Sequence, residues 1–236
     1  FVDGDFLYFI DSTYALYEYD LNNHKAYFIA DMEEEILRRG EVSSIIKQKT
    51  DYFIGFKSSG LIQLKYMPDS KVKYSLQSIN VQSGIFCLMK DRFQDIIWVG
   101  ADGQGLYMYF TDEFSIDNIM LDVPEYRVDN PVRALYQDQD QTLWIGTKGG
   151  GILKMFDFHP DMETLPRAER ILASNSPLMD NSVYSFAPSR RKLLWIGTES
   201  GLNYYSYSQK RIQEFPVMAD GKMVKYVHSV RETNDS

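Results

Sequence analysis

The sequence predicts an all-β fold built from about five copies of one four-stranded unit. Three observations carry this prediction: 14% of the residues are aromatic, an aromatic-aliphatic-glycine motif recurs, and a second motif precedes each copy of it. Aromatic residues favour strands because flat side chains fit a pleated surface. Short strands with a period in the forties, four to a unit, are typical of propeller blades. We therefore expect a single β-propeller domain over residues 1–236.

The first motif places an aromatic residue two positions before a glycine. Its four copies are Tyr52–Gly55, Ile97–Gly100, Leu143–Thr147 and Leu194–Thr198, and the aromatic positions are about 45 to 51 residues apart. A residue that recurs at one place in every unit is expected to pack between neighbouring blades. The sequence therefore predicts that Trp98, Trp144 and Trp195 are core residues, not platforms for sugar rings.

The second motif reads apolar, variable, small, apolar, and is expected to form the first strand of each unit. Its copies are Val42–Ile45, Ile85–Leu88, Val132–Leu135, Val183–Phe186 and Val227–Val230. The small third residue is expected to make room for the tryptophan. Blade repeats then fall near residues 42–76, 85–120, 132–172 and 183–217, with a further blade split between residues 226–232 and 6–29.

Two arrangements of these units remain open. Pairing of residues 226–232 with the strand near residues 6–10 would close a five-bladed ring. Alternatively, the repeats are an excerpt of a longer propeller, which the start at Phe1 instead of Met also favours. One short helix is expected between the first two units, with Asp31 as N-cap and Gly40 at its end.

The composition argues against several classes of function. The chain has 33 acidic and 25 basic residues, and a net charge of −8 disfavours nucleic-acid binding. A single cysteine, Cys87, allows no internal disulfide and no cysteine-based zinc site, and its place at a small position predicts a buried, inert thiol. No apolar run approaches the length of a membrane span, so we expect no membrane contact by this segment.

Catalytic and metal-binding patterns are also missing from the sequence. The histidines His24, His159 and His228 stand far apart, and we predict no metal, no cofactor and no enzymatic site in this segment. The run Asp138-Gln139-Asp140 resembles the start of a calcium loop but lacks the later glycine and glutamate. Its aspartates are expected to accept backbone N–H groups in a turn.

Residues 132–153 and 183–205 resemble two-component regulator propeller repeats. Both carry the Leu-Trp-Ile-Gly-Thr core of that repeat, whereas the second copy has Ala101 in place of the threonine and the first has Phe53 and Phe56. Such repeats are typical of the periplasmic sensor regions of hybrid two-component histidine kinases. The resemblance implies an extracytoplasmic, periplasmic sensor of a polysaccharide-derived oligosaccharide, with a kinase elsewhere and a possible homodimer within a receptor.

Ligand-binding residues are expected where the units differ from one another. In a propeller the first strand lines the central channel, and its second position lies near one mouth. These positions are Ser43, Phe86, Arg133, Tyr184 and His228. The turns between second and third strands add Lys57, Asp102, Gln104, Lys148 and Glu199, and the loops entering the first strand add Asn130 and Asn181. Such a mixture of charges, amides and aromatic rings suits a polyhydroxylated ligand.

The charges at this mouth allow two predictions. Arg133, Lys148 and Lys57 on an acidic protein would focus an anionic ligand, which favours an acidic or sulfated oligosaccharide. Alternatively, Asp102 and Glu199 pair with these cations and leave no net field.

Two other functions remain open. A flat apolar patch would favour a protein-interaction or dimerisation scaffold. Carboxylates or a metal converging on the channel would favour a lyase or hydrolase.

Overall fold

The computed structural model describes residues 1–118, 127–160, 162 and 166–232. Within these ranges the chain forms five four-stranded antiparallel sheets and a two-stranded hairpin, so the all-β prediction is confirmed. Each sheet is one blade, numbered I to V in chain order, and consecutive strands are neighbours within it.

The strands of each blade have the following bounds. Blade I contains β1 (Val2–Asp3), β2 (Phe6–Ile10), β3 (Ala15–Asp20) and β4 (Lys25–Asp31). Blade II contains β5 (Val42–Gln48), β6 (Asp51–Phe56), β7 (Leu61–Tyr66) and β8 (Tyr74–Ile79). Blade III contains β9 (Ile85–Lys90), β10 (Ile96–Ala101), β11 (Leu106–Phe110) and β12 (Ser115–Asn118). Blade IV contains β13 (Val132–Gln137), β14 (Leu143–Thr147), β15 (Ile152–Met155) and β16 (Ala168–Ile171). Blade V contains β17 (Val183–Ser189), β18 (Leu193–Thr198), β19 (Leu202–Ser206) and β20 (Arg211–Phe215). The hairpin β21 (Met218–Ala219) and β22 (Lys222–Met223) follows blade V.

One helix, α1 (Glu33–Arg39), joins blades I and II. Its N-cap is Met32, one residue later than the sequence predicted, because β4 extends through Asp31. The Asp31 carboxylate still accepts the backbone N–H of Glu33 at 2.9 Å. Gly40 ends the helix as predicted, at a φ of 84°, which favours glycine.

The core lies between successive blades. Each of four hydrophobic clusters is shared by two neighbours, so each blade is covered by the next. Phe53, Trp98 and Trp144 are each 1% exposed and pack against blades III, IV and V respectively. The packing interpretation is therefore confirmed for Trp98 and Trp144. Trp195 is half-buried on the outer face of blade V, where it contacts Phe215 with ring centroids 5.0 Å apart.

The small residue of the second motif has a different role from the one predicted. In blade IV, Ala134 lies opposite Gly146, not opposite Trp144. A Cβ atom on Gly146 would lie 2.8 Å from Cγ1 of Val183 and 3.2 Å from Ala134. The pair of small residues therefore makes room for the first strand of the next blade, and not for the tryptophan.

The C-terminal segment differs from the closed-ring prediction. Residues 226–232 form no strand, and the free edge of β2 is taken instead by β1, with Val2 opposite Leu7. The expected pairing with residues 6–10 is therefore absent from the described structure.

Residues 227–230 lie against blade V. The N–H of Val227 donates to Thr198 O at 3.0 Å, and Val227 O lies 2.2 Å from the Cβ position of Gly197. Val183 covers Gly146 in the equivalent way at the junction of blades IV and V. The segment thus occupies the place of a first strand beside blade V, and the five blades fit an excerpt of a propeller.

Candidate functional site

A β-bulge interrupts the first strand of blades II to V at the same position. In blade IV, Val132 is opposite Thr147 and Ala134 is opposite Gly146, so Arg133 has no partner in the ladder. The corresponding extra residues in the other blades are Ser43, Phe86 and Tyr184. A bulge turns a side chain away from the regular pleat. Every second-position residue predicted in these blades therefore lies at a bulge.

The bulge residues of successive blades stack on one another. The guanidinium carbon of Arg133 lies 3.4 Å from the ring centroid of Phe86. The rings of Tyr184 and His228 have centroids 4.5 Å apart and planes inclined by 32°. We call these four residues the channel strip, because they stand at the beginnings of the innermost strands or in line with them.

Tyr184 is held by its ring, which stacks on His228, and by its hydroxyl group. Its hydroxyl donates to Oε2 of Glu199 at 2.9 Å. Burial, followed by this hydrogen bond, raises the pKa of Tyr184, while the charge of Arg133 acts in the opposite direction. Glu199 and Tyr184, predicted independently from a turn and a strand, therefore belong to one hydrogen-bonded unit.

Arg133 is a half-buried cation without a charge partner among the described residues. Its Nε is buried and has no hydrogen-bond partner, and its guanidinium forms no ion pair with any residue in the described ranges. Buried polar groups normally have partners, and an unpaired one carries a desolvation penalty. Ser43, the bulge residue of blade II, likewise has a buried hydroxyl without a partner among the described residues.

The other predicted cations differ in their pairing. Lys57 forms an ion pair with Glu41 at 2.6 Å, and both side chains are exposed. The Lys148 side chain is exposed, and its backbone N–H donates to Pro131 O at 2.9 Å. Neither Asp102 nor Glu199 forms an ion pair with Lys57, Lys148 or Arg133. The neutralisation by Asp102 and Glu199 that the sequence left open thus does not occur through direct pairs.

The remaining turn residues have mainly local partners. Oε1 of Gln104 accepts the hydroxyl of Tyr107 at 2.9 Å. Asp102 is exposed, and its backbone N–H donates to Gly84 O at 2.9 Å. These turns share a backbone hydrogen bond, as when the N–H of Ala101 donates to Gly105 O and that of Thr147 to Gly151 O.

Asn130 and Asn181 lie in different loops, and both contact the glycine turn that follows Lys148. Oδ1 of Asn181 accepts the N–H of Ala173 at 2.8 Å, and its carbonyl accepts the N–H of Gly151 at 2.8 Å. Asn181 therefore mainly holds the loops together. Asn130 lies over the glycines beside Lys148, with Oδ1 2.6 Å from the Cβ position of Gly150, so its amide borders the predicted site.

Tyr226 also lies at this site, although the repeat motifs did not predict it. This residue is 61% exposed, and its N–H donates to the carbonyl of Glu199 at 2.8 Å. Its φ of 55° lies in the left-handed region, which is unusual for a bulky residue. Strained backbone of this kind is often found at binding sites. The available signal was an aromatic residue immediately before the last copy of the second motif.

The opposite ends of the innermost strands are joined by an ion pair. Nζ of Lys90, the last residue of β9, lies 2.6 Å from Oδ2 of Asp3, the last residue of β1. This pair links blades III and I away from the channel strip, which lies near the beginnings of the first strands.

The described residues contain no group of three or more side chains arranged to hold a metal ion. His24 contacts Tyr19 and His228 contacts Tyr184, so these two histidines lie in different surroundings. Nor does any described helix have the length and apolarity needed to cross a membrane.

The sheets and their packing define the chain as part of a β-propeller. The family model of the two component regulator propeller matches residues 127–149, which contain the first two strands of blade IV. This stretch of the chain is therefore similar to one two-component regulator propeller repeat, and the other copies of the motif lie at the equivalent place in the neighbouring blades.

The chain spans between 13% and 28% of the length of three proteins to which it is similar. The chain is 27% identical to histidine kinase P4 of Formosa agariphila over 181 residues. The match covers 75% of the chain and 13% of that protein. It is similar to the extracellular domain of the putative hybrid two component system BT3049 from B. thetaiotaomicron, with a TM-score of 0.61 and 21% identity over 89% of the chain and 28% of that domain. It is also similar to the extracellular domain of the putative one component system BT4673 of the same organism, with a TM-score of 0.58 and 22% identity over 86% of the chain and 26% of that domain. Similarity to the β-propeller domain of Myceliophteria_thermophila Cps50 (Swd1), with a TM-score of 0.61 and 9% identity over 94% of the chain and 72% of that domain, confirms the propeller fold.

Proposed function

We propose that this chain is the ligand-sensing propeller segment of a periplasmic two-component receptor, and that it binds a polysaccharide-derived oligosaccharide at the channel strip. The observation that carries the proposal is the separation of roles within each blade. Residues that recur between blades, such as Trp98 and Trp144, pack the core, whereas the four strip residues differ from one another at the equivalent position. Such a division is expected of a repeat scaffold that carries a specific binding site.

The strip and its surroundings have the chemistry that a sugar needs. The rings of Tyr184, His228 and Tyr226 offer flat faces, against which the C–H face of a sugar can pack. Asn130 and Lys148 offer polar groups at the rim for hydroxyls. The strip therefore combines apolar platforms with a few convergent polar groups, as ligand sites generally do.

The proposal also assigns this segment a non-catalytic role. The similarity to a histidine kinase and to extracellular domains of two-component systems supports a receptor in which catalysis lies outside the 236 residues. The separated histidines agree with this assignment.

The test is calorimetric titration of the chain with a panel of oligosaccharides derived from plant and algal polysaccharides. For a panel member that binds, we expect Tyr226→Ala to weaken affinity about tenfold through the loss of a stacking face. Tyr27→Ala is the matched control, because Tyr27 is also exposed but lies on blade I. Absence of binding across the panel, or equal losses in the two variants, would contradict the proposal.

A second candidate function is a dimerisation scaffold. The outer face of blade V carries a groove of about 640 Å³ that is lined by Trp195, Tyr204 and Phe215, and Phe215 is 43% exposed. We propose that a second copy of the chain occupies this groove. Sedimentation equilibrium, which gives the molar mass in solution, tests whether the chain forms a dimer. A dimer that Trp195→Glu dissociates would support the scaffold, and a monomer at all concentrations would exclude it.

A further inference from the structure

We infer that the oligosaccharide carries an anionic group, a carboxylate or a sulfate, and that the guanidinium of Arg133 binds it. This inference rests on the proposed function, since it names the class of ligand for the same site. It is drawn from the state of Arg133 itself: a half-buried cation that stands at a bulge and has no acceptor among the described residues.

The burial of Arg133 makes an acceptor necessary. An exposed arginine is satisfied by water, but Nε of Arg133 is shielded from solvent and receives no acceptor from the described chain. A hydrogen bond to a charged group contributes more than a neutral one, and its absence is correspondingly costly. Since Nε is shielded, an anion would bind through the terminal nitrogens of the guanidinium and would supply the charge partner that the described residues do not provide.

The geometry of Arg133 fits an anion with two oxygens. Phe86 covers one face of the guanidinium at 3.4 Å, an arrangement in which cation and ring attract one another. The donors of a guanidinium lie in its plane, so stacking on one face leaves them available at the edge. This planar fork matches the paired oxygens of a carboxylate or sulfate.

The neighbouring carboxylates do not fill this role. Glu199 accepts the hydroxyl of Tyr184, and Glu41 pairs with Lys57. Asp102 is exposed and forms no ion pair with any residue that the structure describes. The two negative charges of Asp102 and Glu199 equal in number the two positive charges of Arg133 and Lys148. Binding of the anion is therefore expected to come from hydrogen bonds to Arg133 and not from a net positive field.

The experiment compares matched ligands on the full 236-residue chain. The probes are a uronic-acid trisaccharide and its methyl ester, and a sulfated galactose disaccharide and its desulfated form, each measured by titration calorimetry. We expect the anionic member of at least one pair to bind about tenfold more tightly than its neutral partner.

The variants identify the residue responsible. Arg133→Ala should abolish the difference within the pair, and Arg133→Lys should restore only part of it because the fork is lost. Arg190→Ala, which removes an exposed charge at the turn between β17 and β18, should leave the difference unchanged. Thermal unfolding of each variant shows whether it is folded, and the lysine variant keeps the test valid if the alanine variant unfolds.

Each result bears on one of the two proposals. Equal binding of anionic and neutral probes, or a difference that Arg133→Ala leaves intact, would overturn the inference while the sensor function stands. If no oligosaccharide binds, the Nε–Hε NMR signal of Arg133 is followed during titration with sodium sulfate. A signal that moves with sulfate but not with chloride would support the anion site and count against the oligosaccharide, whereas an unmoved signal would overturn the inference.

Discussion

The indole N–H of Trp144 donates to Oδ2 of Asp138 at 3.0 Å. Oδ1 of the same carboxylate accepts the backbone N–H groups of Asp140 and Thr142, so one side chain ties a turn to the core between two blades. Asp91 and Trp98 form the same pair in blade III, at 2.8 Å.

Asp138→Ala is expected to lower the free energy of unfolding by about 2–4 kcal/mol, because three donors lose their shared acceptor in a buried place. Urea unfolding followed by tryptophan fluorescence measures the change. Asp140→Ala is the control, since this neighbouring carboxylate is exposed. A loss of similar size in both variants would mean that the effect is one of turn charge and not of the buried hydrogen bonds.

The two tryptophans Trp144 and Trp195 should differ in their contribution to stability. Trp144→Ala is expected to cost about 3–5 kcal/mol, as large deletions in a core do, and Trp195→Ala about 1–2 kcal/mol because its ring is only half-buried. Denaturant unfolding of the two variants gives the comparison. Equal costs would show that the outer face of blade V is covered in solution.

Stability should fall with acid partly through Glu35. Burial raises the pKa of this carboxyl, but hydrogen bonds from Arg38 and Arg39 lower it by more, so the pKa lies below its ordinary value of 4.5. A group with a depressed folded-state pKa stabilises the fold above its unfolded pKa, and this contribution is lost as pH falls through the folded pKa.

Wild-type stability should therefore fall more steeply than that of Glu35→Gln as pH falls below the ordinary glutamate pKa of 4.5. Urea unfolding at a series of pH values measures both slopes. Glu34→Gln removes an exposed carboxyl from the same helical turn and should keep the wild-type slope. Parallel curves for wild type and Glu35→Gln would contradict the prediction.

Cys87 should be unreactive in the native chain. Burial raises the pKa of its thiol to about 12, and the thiol contacts Val132 O at 3.6 Å. At pH 8 we expect a disulfide-exchange reagent to label the folded chain at least about a hundredfold more slowly than the urea-unfolded chain, because the thiolate is the reacting species. Comparable rates in the two states would show that the junction of blades III and IV opens readily.

The regular parts of the fold follow from the sequence because they repeat. Three features recur at similar spacing along the chain: the packing of Trp98 and Trp144, the four strands of each blade, and the aspartate turn at Asp138. A pattern that recurs in this way rarely arises by chance, so it can be recognised in the sequence. The two-residue strand β1 is too short to show any alternation, so the sequence assigned its place beside β2 to residues 226–232 instead.

The candidate site was predicted only where the repeat carried the prediction. Second-position residues were found because each blade supplies one, although the bulge that displaces them has no sequence signature. Tyr226 was missed because its left-handed backbone depends on a hydrogen bond to Glu199, which only the folded chain brings near. The pairing of Lys57 with Glu41 likewise depends on how two loops approach one another.

The bulge has a consequence for how recognition can be altered. Arg133, Phe86 and Tyr184 stand outside the hydrogen-bonded ladder, so exchanging one of these side chains leaves the register of the strands intact. Each of blades II to V thus presents one replaceable side chain on an unchanged frame. Single substitutions, in evolution or in the laboratory, can therefore change the ligand that such a scaffold selects while the strand register and the packing of the blades are retained.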